Sequence, residues 1–199
     1  MKKIVIVLLF ILIAFVGYKL IWKEKNIEPN VISRIDSHLE KVKKIIKSDS
    51  KYNKDIAFLI DMKIPSEKNR FFVYDLKADK IIDKGIVAHG SGSETGIKGK
   101  LKFSNVENSL STSLGTYYIG NYYYGKFGKA YKLYGLDKTN SNAFNRDIVF
   151  HYYYDVPYKE KDGYICNSYG CPMVNKKYFE RIAKRIDASQ SNILLSIYY

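Results

Sequence analysis

Apolar positions change their spacing several times along the chain, and each change marks an element. Ile4 through Tyr18 is an uncharged run preceded by Lys2-Lys3, and Leu20-Ile21-Trp22 prolongs it past Lys19. A run of this length spans a bilayer if Lys19 snorkels to the interface. A positive start followed by an apolar stretch is also the pattern of a secretory signal, but Phe15-Val16-Gly17 places a bulky residue where a cleavage site needs a small one. The pattern predicts an N-terminal transmembrane or signal helix over 1–22, retained as an anchor, with Lys2 and Lys3 on the cytoplasmic side and the rest of the chain exported. Over Asn30 to Lys47 the period becomes helical. Val31, Ile35, Leu39, Val42 and Ile46 recur at spacings of three and four, with Asn30 after Pro29 as N-cap. Residues 23–50 are thus a short amphipathic helix and linker, and His38 lies beside the stripe as a packing or surface residue.

From Ile56 the pattern turns to strands. Ile56–Ile60, Phe71–Leu76 and Lys80–Ala88 are three, the last two joined as a hairpin through Ala78-Asp79. Tyr117–Gly120, Ala130–Tyr134, Asp147–Phe150 and Ile193–Ile197 are four more, and Lys176–Asp187 is helical with Phe179, Ile182, Ala183 and Ile186 on one side. Many short strands with a few helices predict a mainly β domain over 51–199, a sandwich or barrel.

The chain has 199 residues, so this part is long enough for one hydrophobic core, and 46% hydrophobic content argues against disorder. The formal net charge is +13, which attracts anionic headgroups and acidic polymers. The lysines are dispersed, however, and no nucleic-acid signature accompanies them, so no nucleic-acid partner is expected. Two cysteines, Cys166 and Cys171, cannot staple a disulfide scaffold. With no C-x-x-C spacing and with His38, His89 and His151 scattered, no metal site is expected.

Chemistry concentrates in Asn167-Ser168-Tyr169-Gly170-Cys171-Pro172, with His151 twenty positions upstream at the end of an apolar run. A thiol with an ordinary pKa of ~8.5 is only a few per cent thiolate at neutral pH, so a nucleophilic Cys171 would need His151 as base. Backbone N–H groups around Tyr169, Gly170 and Cys171 are candidates for an oxyanion hole. On residue types alone Cys171 is either a nucleophile or an inert buried cysteine. Two loops rich in small polar residues are candidates for ligand contact: His89-Gly90-Ser91 onward, and Phe103-Ser104-Asn105 through Ser113-Leu114-Gly115.

Taken together, these residues resemble the L,D-transpeptidase (YkuD-like) catalytic domain, and more closely its murein subfamily. The ordered set is Ala88-His89-Gly90-Ser91, Phe103-Ser104-Asn105, Ser111-Thr112-Ser113-Leu114-Gly115, Gly135-Leu136, Asn140-Ser141-Asn142-Ala143, Arg146-Asp147-Ile148-Val149-Phe150-His151 and Ser168-Tyr169-Gly170-Cys171-Pro172. The resemblance runs from about Phe71 to Tyr199. It implies a β-sandwich of exported enzymes acting on peptidoglycan stem peptides, with no cofactor. Cys171 would attack the carbonyl before the terminal D-residue of a stem tetrapeptide, release that residue and form a thioester, which an amine or water then resolves. His151 would move the protons, oriented by the Tyr152 carbonyl. Gly170, Tyr169 and Ser168 would shape the oxyanion site, and His89, Gly90, Ser91, Ser104, Asn105 and Ser113 would line the substrate cleft.

The chain departs from the family pattern at Tyr152-Tyr153-Tyr154, where a small residue is usual, and at Cys166-Asn167, where Gly-Arg is common. The expected activity is an L,D-transpeptidase that is membrane-anchored or secreted and faces the periplasm or cell wall. Two alternatives stay open: an L,D-carboxypeptidase or murein amidase that uses water as acceptor, and a catalytically silent wall-binding module.

Overall fold

The computed structural model describes residues 28–199. The N-terminal span expected at 1–22 lies outside the described residues, among which no helix is long and apolar enough to cross a membrane. The chain divides into two compact units, 1–34 and 35–199. Of the first, only 28–34 are described, and they carry the opening turns of helix α1 (Pro29–Ser48). The helix begins one residue earlier than its expected cap at Asn30. Pro29 suits a first helical position because its missing N–H would have no helical partner, and the Glu28 carbonyl accepts from Val31 and Ile32 N–H instead.

The second unit is built on nine strands. They are β1 (Tyr52–Asp61), β2 (Phe71–Asp75), β3 (Lys80–Gly85), β4 (Val87–Ala88), β5 (Gly115–Gly125), β6 (Gly128–Gly135), β7 (Val149–Tyr152), β8 (Met173–Val174) and β9 (Asn192–Tyr198), with helix α2 (Lys176–Asp187) before the last. They form one continuous mixed sheet in the order β3-β2-β1-β9-β5-β6-β7-β8-β4. The pairs β1–β9 and β7–β8 are parallel and the others antiparallel.

The sheet folds over on itself. Strands β2 and β7 stand five places apart in the order, about 24 Å if the sheet were flat. Yet the rings of Phe71 on β2 and Phe150 on β7 lie 5.6 Å apart. Phe58, Ile60, Tyr117, Tyr131, Leu133, Leu195 and Ile197 point into the space between, and Phe179 and Ile182 of α2 close it. The neighbouring outward positions of the central strands are apolar too. Ala57 and Leu194 meet Val42 and Ile46 of α1. This explains why β9 reads Ile-Leu-Leu without alternation, since both faces are covered. Each such aliphatic side chain contributes about 1.5–3 kcal/mol by burial, so Val42→Asp would detach the helix from the sheet.

The strand expected over Lys80–Ala88 breaks at Ile86. The Gly85 α-carbon lies so close to the Tyr178 ring that an added Cβ would stand 2.5 Å from it. Beyond this point the chain leaves β2, and Val87 and Ala88 pair with Val174 and Met173 of β8. The break thereby carries His89 and Gly90 to the cysteine segment.

Candidate active site

Three segments lie side by side at one end of the sheet. Strand β7 carries His151, β8 begins two residues after Cys171, and β4 leads into His89. His151 pairs with Met173 in the parallel β7–β8 ladder. The Ser168 N–H donates to the His89 carbonyl at 2.9 Å, and the Ser91 N–H donates to the Ser168 carbonyl at 2.8 Å. The cysteine turn is thus laced to the His89 loop by main-chain bonds. Gly90 and Gly170 meet there. A Cβ on Gly90 would come within 2.8 Å of Gly170, and Gly170 itself has φ +119°, a region other residues rarely adopt.

Ser168 shapes the turn from within. Its Oγ donates to the Cys171 carbonyl at 2.6 Å and accepts from the Gly170 N–H at 3.2 Å. The Cys171 N–H donates to no group among the described residues. It is a main-chain donor of this turn left for an oxyanion, as is the Tyr169 N–H, whereas the Gly170 N–H is already engaged. Tyr169 is 79% exposed and stands off the turn.

The Cys171 sulfur is half-buried. It accepts from the Val149 N–H at 3.4 Å and lies 3.6 Å from the Asp147 carbonyl, to which the thiol donates. Asp147 holds φ +52°, a left-handed turn into β7 that aims this carbonyl at the sulfur while its side chain pairs with Lys132 at 2.8 Å. Burial pushes the Cys171 thiol up; the Val149 N–H and the Arg146 charge pull it down.

His151 is 6% exposed. Its Nδ1 donates to the Tyr152 carbonyl at 3.0 Å, which leaves Nε2 as the unprotonated nitrogen. Nε2 has no hydrogen-bond partner among the described residues. Phe127, at the tip of the β5–β6 hairpin, stacks on the imidazole with centroids 5.4 Å apart. Burial lowers the His151 pKa below 6.5 against the smaller opposing effect of the Tyr152 bond, so the ring is neutral and basic at pH 7. Thiol and imidazole share no hydrogen bond among the described residues; such contacts often close only with substrate in place.

His89 sits differently. It is 3% exposed and both ring nitrogens are engaged. The Arg70 guanidinium, fully buried, donates Nη2–H to His89 Nδ1 at 2.9 Å, Nε–H to the Val87 carbonyl and Nη1–H to the Ile64 carbonyl. Because arginine only donates, His89 must carry its proton on Nε2, which donates to Glu94 Oε1 at 2.8 Å. Burial brings the Arg70 pKa down to about 9. The ring of His89 is therefore an internal strut, and the group it presents outward is Glu94, also touched by Asn167 Nδ2 at 3.4 Å.

The second polar loop is organised by Arg146. Its Nη1 donates to the Ser104 carbonyl (2.8 Å) and Ser113 Oγ (3.2 Å), and its Nη2 to the Ser111 carbonyl (2.6 Å) and Ser109 Oγ (3.3 Å). Ser113 is buried against the Tyr117 hydroxyl at 2.7 Å. Asn105 turns away, clamping the 138–142 turn through the Lys138 carbonyl, Ser141 and Asn142. Gly90 N–H is held by Thr112 Oγ1 at 3.0 Å. Sequence reasoning passed over Arg70, Glu94, Phe127 and Arg146 as site residues. Arg146 left a signal, as the only arginine between Arg70 and Arg181 in a lysine-rich chain; Phe127 left none.

Cys166 packs beside Ile86, Ala88, Val156, Ile165 and Met173, and both cysteines are free thiols. Among the described residues no three His, Cys, Asp or Glu side chains gather as metal ligands. A concavity of about 520 Å³ between the β5–β6 hairpin and the end of α2 is lined by none of these site residues.

The family model of the L,D-transpeptidase catalytic domain matches residues 23–196, and the chain belongs to that family. No curated protein matches it. Among solved structures it is similar to a variant of the helical cell shape determining protein Pgp2 from Campylobacter jejuni, at 15% identity over 72% of this chain and 46% of that one, with a TM-score of 0.46. An L,D-transpeptidase from Xylanimonas cellulosilytica is 13% identical over 73% of this chain and 61% of that one, with a TM-score of 0.39. Bd1075 from Bdellovibrio bacteriovorus is 11% identical over 73% and 48%, with a TM-score of 0.42. The chain spans about half to three fifths of the length of these proteins, and at such scores none of them bears on its activity.

Proposed function

We propose that this protein is an exported cysteine L,D-transpeptidase acting on peptidoglycan stem peptides outside the cytoplasmic membrane. Cys171 is the nucleophile and His151 the base. The observation that carries this reading is the His151 ring. Its Nδ1 is fixed on the Tyr152 carbonyl, its Nε2 is free, and its strand pairs in parallel with the strand that begins two residues after Cys171. In this reading the folded-over nine-strand sheet carries the site and the apolar run over 1–22 anchors it.

In this mechanism His151 Nε2 takes the thiol proton as sulfur attacks the carbonyl before the terminal D-residue. The Cys171 N–H receives the oxyanion. The C–N bond breaks, His151 returns the proton to the leaving amine, and a thioester remains. An incoming stem-peptide amine then displaces the sulfur. The loops bearing Gly90, Ser91, Ser104, Asn105 and Ser113 form the cleft wall, and His89 acts in it through Glu94.

Incubation of the full chain with a carbapenem, read by intact mass, tests this directly. A covalent adduct is expected and should vanish in Cys171→Ala. No adduct, together with no release of a D-amino acid from tetrapeptide, would leave a silent wall-binding module. Analysis of digested murein separates new crosslinks from trimming by a carboxypeptidase or amidase.

A further inference from the structure

A half-buried thiol needs positive potential to ionise, and beyond the Val149 N–H the charged candidates around Cys171 are few. The charges of Lys132 and Asp147 act on the sulfur with opposite sign, and they pair with each other at 2.8 Å and largely cancel. The Tyr117 hydroxyl behind Ser113 is neutral, its pKa raised to about 12 by burial. His151 is neutral at pH 7, as burial lowers its pKa. Arg146 remains. All four of its acceptors are neutral, two main-chain carbonyls and two serine hydroxyls, and no carboxylate pairs with it among the described residues. Its Nη2 packs on the residue before the cysteine; a Cβ on Gly170 would stand 3.3 Å from it. Four hydrogen bonds hold the guanidinium there, so the charge cannot swing out to solvent as a surface arginine does.

We propose that Arg146 is the electrostatic positioning residue of the site: a fixed, uncompensated cation held against the Gly170–Cys171 turn that stabilises the Cys171 thiolate. The same bonds that pin the Ser104–Ser113 loop aim the charge, so one side chain both shapes the cleft wall and activates the sulfur. The shift of the thiol agrees in sign: burial raises it, and the Val149 N–H and then the Arg146 charge oppose that. The inference rests on Cys171 being the nucleophile, but it predicts thiol ionisation whether or not turnover occurs.

The test is the pH dependence of alkylation of the full chain by iodoacetamide, read separately at Cys171 and Cys166 by peptide mass. Arg146→Gln should move the Cys171 midpoint up and slow its alkylation at pH 7 by roughly tenfold, one pKa unit. Arg146→Lys should keep the midpoint near that of the unaltered chain, although it loses loop hydrogen bonds. Cys166 should not respond to either change. Equal midpoints in all three proteins, or a Lys variant as shifted as the Gln variant, would overturn the proposal in favour of a purely structural arginine. A second measurement needs no variant. In the unaltered chain, the anionic reagent iodoacetate should gain on neutral iodoacetamide at Cys171 relative to Cys166, and salt should erase the gain. No gain overturns the proposal too. Absence of a carbapenem adduct with these alkylation results intact would instead count against the transpeptidase reading.

Discussion

His151 and His89 lie on neighbouring segments of one sheet end, and they resemble each other by the measures that usually single out a catalytic histidine. Both are buried, His151 within and His89 just after a short apolar strand, and burial lowers both pKa values below 6.5. Their bonding separates them. His151 spends one nitrogen on the Tyr152 carbonyl and keeps the other. His89 spends both, accepting from Arg70 and donating to Glu94. A base needs a free lone pair, and of these two rings only His151 keeps one. A perturbed pKa marks both residues; the hydrogen-bond inventory distinguishes a ring with a nitrogen to spare from a strut.

The contrast is sharpest in paired substitutions. His151→Ala should slow carbapenem acylation by roughly 10²–10⁴-fold, the usual range for loss of a general base. The melting temperature should fall by less than in His89→Ala, since one hydrogen bond and the Phe127 stacking are lost but no buried charge is left unpaired. Intact-mass time courses and a thermal scan read both quantities on one sample. Acylation within a few-fold of the original rate would remove His151 from its role.

His89→Ala should reverse the pattern. It leaves a fully buried guanidinium short of one acceptor and Glu94 short of one donor. The unmet buried guanidinium costs about 1–3 kcal/mol, whereas Glu94, being exposed, is hydrated instead. The melting temperature should fall by several degrees, while acylation per folded molecule should fall by less than about tenfold. A stable but inactive His89→Ala would mean that this ring, too, touches the chemistry.

The same residues set an acid limit on stability. Burial lowers the pKa values of His38, His89 and His151 from 6.5 in the folded chain. The unfolded chain therefore binds protons more readily. Their contribution is fully present above about pH 6.5 and is lost as pH falls from there through the folded values. Melting temperature should be flat from pH 7 to 8 and decline below 6.5. His89→Gln should flatten that decline while lowering the plateau. An unchanged slope in His89→Gln would show that carboxylates govern it.

Much of this arrangement is legible in the sequence alone. The helix over Asn30–Lys47 and the strands around Phe58, Phe72 and Leu195 carry periodic or continuous apolar signals long enough to read. The Ser168–Cys171 turn announces itself because Gly170 and Pro172 restrict the backbone around a reactive atom. What escapes reading depends on contacts distant in sequence. The break at Ile86 arises from Tyr178 lying against Gly85, some ninety positions away. The inward turn of His89 depends on Arg70, which as a lone arginine before Phe71 looks like any surface cation. Strand β5 runs on to Gly125, past its expected end at Gly120, because Tyr122 to Tyr124 pair with β6 while staying exposed, a combination with no apolar periodicity.

The hairpin tip formed by that extension supports the smallest predicted effect, and it bears on why the two histidines are buried at all. His89 is covered on all sides by the core and its polar partners, whereas one face of His151 is covered by Phe127, itself 46% exposed on a two-residue turn between Gly125 and Gly128. Removing that ring in Phe127→Ala should admit water to the imidazole and weaken the desolvation that holds its pKa down. The His151 pKa should then rise toward 6.5, and the acid limb of the acylation profile should move up with it. At pH 8 the ring is neutral either way, so the rate there should stay within about a factor of three. Near pH 6 the variant should lag visibly. Phe127→Leu, which keeps an apolar cover, should restore most of the original profile. A limb that does not move in Phe127→Ala would mean that the fold alone keeps His151 dry, and would leave the two histidines alike in how they are buried and different only in what they bond.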